Sequence, residues 1–113
     1  MEYSKQDKAR SILMEVVARF IREEANHNPL ITVTNVIISP DFRHVDIFFT
    51  TIPDSAQEDS LIFLKRKGGE LRTYIKNNAR LRHIPYLDFH IDYGERHRQH
   101  IDEIVQKIEK KEV

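Results

Sequence analysis

Two adjacent glycines, Gly68 and Gly69, stand inside a stretch whose other residues favour helix on both sides. Within a continuous helix each would cost roughly 1 kcal/mol relative to alanine, so the pair predicts a break or kink with a new helix beginning after it. The same stretch, residues 65–82, concentrates the charge. It holds seven basic residues (Lys65, Arg66, Lys67, Arg72, Lys76, Arg80 and Arg82) against Glu70 alone, a balance of +6 in a chain whose formal net charge is zero. The remainder therefore carries 11 basic and 17 acidic residues, or −6. Charge is segregated along the chain.

Beyond the glycines, Arg72, Lys76 and Arg80 recur every four residues and predict one basic ridge on a helix reaching about Leu81. Leu71, Ile75 and Ala79 predict a second, apolar stripe facing a core. The unpaired amides and dipole at the start of such a helix attract anions. A solvated charged helix would show the same periodicity, but here the cations are not interleaved with acids. That favours binding to a phosphate backbone. The candidate phosphate-backbone-binding set is Lys65, Arg66, Lys67, Gly68, Gly69, Arg72, Lys76, Arg80 and Arg82. Tyr74 could stack on a base, yet it lies toward the apolar stripe and reads as a core residue with its hydroxyl at the edge.

A chain of 113 residues with 40% hydrophobic and 32% charged residues fits one folded domain, 1–113. Without cysteine, disulfides, zinc–thiolate sites and thiol nucleophiles are excluded. The first residues are polar and no stretch approaches the roughly 18 apolar residues of a membrane span, so a cytoplasmic protein is expected. No repeat, low-complexity segment or linker is visible.

Leu13, Val16, Val17, Phe20 and Ile21 follow helical spacing and predict a first helix from about Ser4 to Ala25, with Ser4 and Asp7 as a capping pair. Leu30–Ser39 is β-branched and predicts a strand. Ile31 and Val33 share one phase of it and Val36 and Ile38 the other, so a bulge is expected near Thr34 or Asn35. Pro40-Asp41-Phe42 is turn chemistry, and Val45, Ile47 and Phe49 alternate in a second strand that closes a hairpin and ends at Pro53. Asp54 or Ser55 is expected to cap a second helix, with Ser55 and Glu58 in capping-box spacing and Leu61 and Leu64 on its apolar side. After the kink and the basic helix, Pro85 opens a third strand. Leu87, Phe89 and Ile91 face one way there, and Asp88, His90 and Asp92 the other. Ile101, Ile104, Val105 and Ile108 predict a last amphipathic helix.

Helix, strand, strand, helix, kink, helix, strand is the α+β order of the type II KH fold, with a three-stranded sheet packed on helices and a C-terminal helix added. KH modules clamp nucleic-acid backbone at the corresponding junction. Two other constellations read as surface. His97, His100 and Glu103 are spaced as metal ligands could be on a helix. Asp88, His90 and Asp92 have the side-chain types of acid–base chemistry but no obvious nucleophile. No metal and no cofactor are expected.

The chain resembles the bacterial ribosome-binding factor A family from about Arg10 to Ile104. The match is carried by Ile31-Thr32-Val33-Thr34-Asn35-Val36, Ser39-Pro40-Asp41-Phe42 and the Val45-x-Ile47-x-Phe49 strand, then by Gly69-Glu70-Leu71-Arg72 and Leu81-Arg82-His83-Ile84-Pro85-Tyr86-Leu87-Asp88-Phe89, closing on Asp92. The resemblance implies a non-enzymatic KH-like assembly factor that binds the immature small (30S) ribosomal subunit, contacts 16S rRNA and assists maturation of its 5′ region, notably in the cold. In that family the kink has an Ala-x-Gly pattern. Here Lys67-Gly68-Gly69 keeps the glycine and puts a lysine in place of the alanine. Many members have Asp-Pro-Arg before the first strand, where this chain has Asn28-Pro29-Leu30. A monomer is expected, with no membrane or small-molecule partner. The alternative is a non-enzymatic adaptor whose basic ridge docks an acidic protein partner, a reading favoured by the zero net charge.

Overall fold

In the computed structural model, residues 5–25, 28–81 and 83–94 are described. They form helix α1 (Lys5–Glu24), strands β1 (Leu30–Ile38) and β2 (His44–Ile52), a 3-10 turn (Asp54–Ala56), helices α2 (Gln57–Arg66) and α3 (Gly68–Asn78), and strand β3 (Tyr86–Ile91). This is the predicted α+β order. The expected C-terminal helix and the Ser4 cap lie outside the described residues. Among those residues, no helix is long and apolar enough to cross a membrane.

The sheet has the order β1-β2-β3, with β1 antiparallel and β3 parallel to the central β2. Period-two alternation sends Val45, Ile47 and Phe49 to one face, where each is fully buried. Val36 and Phe89 join them from the neighbouring strands. Helix α1 covers that face with Leu13, Val16, Val17, Phe20 and Ile21, α2 with Leu64, and α3 with Leu71 and Ile75. The opposite face of the sheet has no helix on it among the described residues and presents polar side chains mixed with Ile37 and Tyr86.

Strand β1 contains the expected bulge. Pairing runs in step from Leu30 to Val33, skips Thr34, and resumes at Asn35 opposite Phe48. The extra residue returns Val36 and Ile38 to the core face. The bulge is strapped from α1. Arg10 Nε donates to Val36 O at 3.0 Å and Arg10 Nη2 to Asn35 Oδ1 at 2.7 Å. That contact spans 25 residues and has no local sequence signal.

The hairpin loop is held by its own short side chains. Phe42 N–H donates to Ser39 O, Ser39 Oγ donates to Asp41 Oδ1 at 2.6 Å, and Arg43 N–H donates to the same oxygen. Phe42 then takes a left-handed conformation at φ 61°, which completes a turn of matching twist. The hydroxyl of Ser39 and, behind it, the Arg43 amide stabilise the ionised form of Asp41 and lower its pKa.

Two local expectations are corrected. The Ser55/Glu58 capping box does not form, because residues 54–56 wind as a 3-10 turn and α2 begins after Ala56 with no side-chain cap. Helix α3 stops at Asn78, short of Leu81. Asn78 Nδ2 bonds the Tyr74 carbonyl at 2.9 Å, competing for the last turn, and Ala79 turns extended with its methyl buried.

Replacing Ile47 by alanine at the centre of this core should cost about 2–5 kcal/mol in urea or thermal unfolding. Asp41 tests the loop. Its folded-state pKa is depressed, so its contribution is complete above the unfolded value of 3.8 and is lost as pH falls below it. Asp41→Asn should therefore decline less steeply than wild type when urea unfolding is compared between about pH 6 and about pH 3.

Candidate nucleic-acid interface

The junction between α2 and α3 is a single residue, and it is Lys67, one position before the glycines. Lys67 has φ −85° and ψ 1°, which rotates the chain out of the α2 axis. Its amide closes α2 on Phe63 O at 3.1 Å, and its carbonyl receives Leu71 N–H at 2.9 Å to begin the ladder of α3. The Gly68, Gly69 and Glu70 amides thus form the first turn of α3, where donors lack partners within their own helix.

Neither glycine is there for conformation. Both lie in helical residues, neither has a positive φ, and a Cβ built on either would meet nothing within 4 Å. The expectation that the pair itself makes the kink is corrected: Lys67 bends, and the glycines leave backbone bare on an open surface. Continuing outward, Gly69, Arg72, Thr73, Lys76 and Asn77 are all exposed and share one helical face without an acid.

The cations divide into two sets. Lys67 is engaged by the protein itself, with its ammonium 3.2 Å from Glu70, 3.8 Å from Glu24 and 5.9 Å above the Phe63 ring. Arg72 is also engaged. Its Nη2 donates to Ile84 O at 3.1 Å and its guanidinium lies 5.3 Å from the Tyr86 ring, so it anchors the approach to β3. Lys65, Arg66, Lys76 and Arg80 are exposed and make no ion pair among the described residues. Arg80 lies beyond the end of α3, so the predicted ridge keeps only Arg72 and Lys76 on the helix. Arg82 is outside the described residues. Tyr74 is half-buried, its ring 5.4 Å from Phe20 and its hydroxyl donating to Glu23, and it offers no stacking platform.

The arrangement is a bare, amide-bearing helix start flanked by long cationic side chains. It can take phosphate oxygens through backbone N–H groups and neutralise neighbouring phosphates without reading base edges. The Lys67–Glu70 pair tempers the positive potential at the turn itself and leaves the long-range attraction to Lys65, Arg66, Lys76 and Arg80.

The family profile described as Ribosome-binding factor A matches residues 5–105. A ribosome-binding factor A of Desulfitobacterium hafniense is 32% identical over 103 residues, covering 88% of this chain and 82% of the relative. The crystal structure of ribosome-binding factor A from Thermus thermophilus shares the fold with a TM-score of 0.69 at 23% identity, covering 79% of this chain and 97% of that one. A second set of Thermus thermophilus coordinates, fitted into a cryo-EM map of that protein's complex with the 30S subunit, aligns with a TM-score of 0.63 at 22% identity over 72% of this chain and 88% of that one.

Because both glycines adopt helical geometry in open space, Gly68→Ala and Gly69→Ala should each raise stability by about 0.4–1 kcal/mol, measured by denaturant unfolding.

Proposed function

The chain belongs to the ribosome-binding factor A family, and we propose that it binds immature small ribosomal subunits by laying the first turn of α3 against the 16S rRNA backbone. In this reading Gly68 and Gly69 let a phosphate approach the helix amides, and Lys65, Arg66, Lys76 and Arg80 neutralise its neighbours. The protein acts by binding, without catalysis, as a cytoplasmic monomer that assists maturation of the 5′ region of 16S rRNA, including in the cold.

The observation that carries the proposal is the glycine pair. Two residues that weaken a helix, placed where an added Cβ would meet nothing within 4 Å, have no fold-level reason to be glycine. Their position at the start of an acid-free helical face supplies a functional one. The 30S complex of the Thermus thermophilus relative supports the choice of partner. Specificity then comes from rRNA shape, because the α3 face of Gly69, Arg72, Thr73, Lys76 and Asn77 carries no aromatic side chain of its own.

The test is co-sedimentation with small subunits from cold-grown lysate on sucrose gradients. Wild type should travel with the subunits, and an Arg66→Glu/Lys76→Glu variant should stay at the top. Arg72 is left intact in this design because its bonds to Ile84 and Tyr86 would confound binding with folding. With purified RNA, each phosphate no longer neutralised should flatten the salt dependence of log K by roughly 0.7–0.9. A doubly reversed variant that binds as wild type does would overturn the assignment. Gly68→Ala/Gly69→Ala provides the complementary outcome, with weaker subunit binding despite higher stability.

A further inference from the structure

The outer face of the β2–β3 pair carries a second cluster, on the side of the sheet away from the helices. His44 and Asp46 come from β2, Asp88 and His90 from β3. Parallel pairing sets Asp46 directly opposite Asp88, with His44 opposite Tyr86 and His90 opposite Phe48. Each histidine therefore stands diagonally from the carboxylate of the other strand. His44 Nε2 lies 3.3 Å from Asp46 Oδ1 and 2.9 Å from Asp88 Oδ2, and His90 Nε2 lies 2.7 Å from Asp46 Oδ1. One donor atom each from His44, Asp46 and Asp88 falls within 4.8 Å of the other two. From this juxtaposition we propose that His44, Asp46 and Asp88, with His90 beside them, bind a divalent transition-metal ion of the zinc type.

Charge gives the first reason. Like charges directly opposite on neighbouring strands destabilise a sheet, and Asp46 and Asp88 are such a pair. Imidazole N–H groups relieve this only in part, since the single Nε2 of His44 has to serve two carboxylates. A divalent cation cancels both carboxylate charges at once and accepts the imidazole lone pairs.

Geometry gives the second. Donor atoms held at about 2.0–2.2 Å from a zinc ion lie roughly 3–4 Å from one another, so small side-chain rotations close the observed spread. The backbone beneath is rigid, because β2 is hydrogen-bonded on both edges. The Phe48 ring stacks on His90, with centroids 5.1 Å apart and 29° between planes, and holds that imidazole with Nε2 toward Asp46. The side chains are between 33% and 56% exposed, which leaves coordination positions for water.

Donor type sets the class of ion. An imidazole nitrogen with two carboxylates, and a second imidazole beside them, suits zinc, nickel or copper, whereas magnesium and calcium prefer all-oxygen sets.

The test is a zinc chloride titration of the ¹⁵N-labelled full-length chain, following every imidazole by long-range ¹H–¹⁵N correlation. His44 and His90 should shift together and saturate, and excess magnesium should leave them in place. His44→Gln and Asp88→Asn sit on an exposed strand face and should keep the wild-type far-UV CD. Each should weaken zinc binding by about tenfold or more, at least the effect of removing a group behind a ligand. The proposal fails if neither His44 nor His90 moves. It fails equally if the shifts are confined to other histidines, His97 and His100 included, or if both variants bind zinc as wild type does.

Discussion

The inward face of β2 is the contact on which the rest of this molecule depends. Val45, Ile47 and Phe49 are buried completely, in one core cluster with residues of α1, β1, α2, α3 and β3. At about 25 cal/mol per Å² of apolar surface removed from water, such a row supplies the favourable term that a single-layer sheet needs. Pairing on both edges fixes the register of β2, and register fixes which side chains face the helices. The bulge at Thr34 follows from the same demand. Without the extra residue, Val36 and Ile38 would point away from the core that Ile31 and Val33 help to cover.

Among the described residues one sheet face is covered, which leaves two separate outer surfaces. The outer side of the helix layer presents the α2–α3 junction, with bare backbone and free cations. The outer side of the sheet presents the histidine–aspartate cluster of β2 and β3. Charge has sorted between them, so that a net-neutral chain has one face able to attract a polyanion and another able to attract a cation. Counting charges in sequence overstates the first surface. Lys67 and Arg72 are engaged by the protein's own groups at its surface, where they hold the junction to α1 and the approach to β3.

Most of the architecture was legible from periodicity, because a core-facing strand and a core-facing helix impose different spacings on their apolar residues. The bulge was legible too, as a break in alternation that resumed one residue out of step. What misled were local rules outweighed by their surroundings. Ser55 and Glu58 have the right spacing for a capping box, but the chain leaving Pro53 winds as a 3-10 turn that moves the helix start past Ser55. The repeat of Arg72, Lys76 and Arg80 suggested one long helix, while burial of Ala79 and the Asn78 side chain end it a turn early. The glycine pair marked the right place for the wrong reason. It does not make the bend, which lies at Lys67 one position earlier.

The sequence by itself determined the order of elements, the identity of the core residues, the membership of the family and the segment in which cations outnumber acids. These are properties of spacing and composition within short windows. Only the tertiary structure decided which cations are free, since that depends on whether Glu24, Ile84 or Tyr86 arrives beside them. It also decided that Asp46 faces Asp88 and that both face histidines, because residues more than forty positions apart meet only through the parallel pairing of β2 and β3. Spacing along a chain reports what each element can bury, and the register between elements reports what its exposed side can bind.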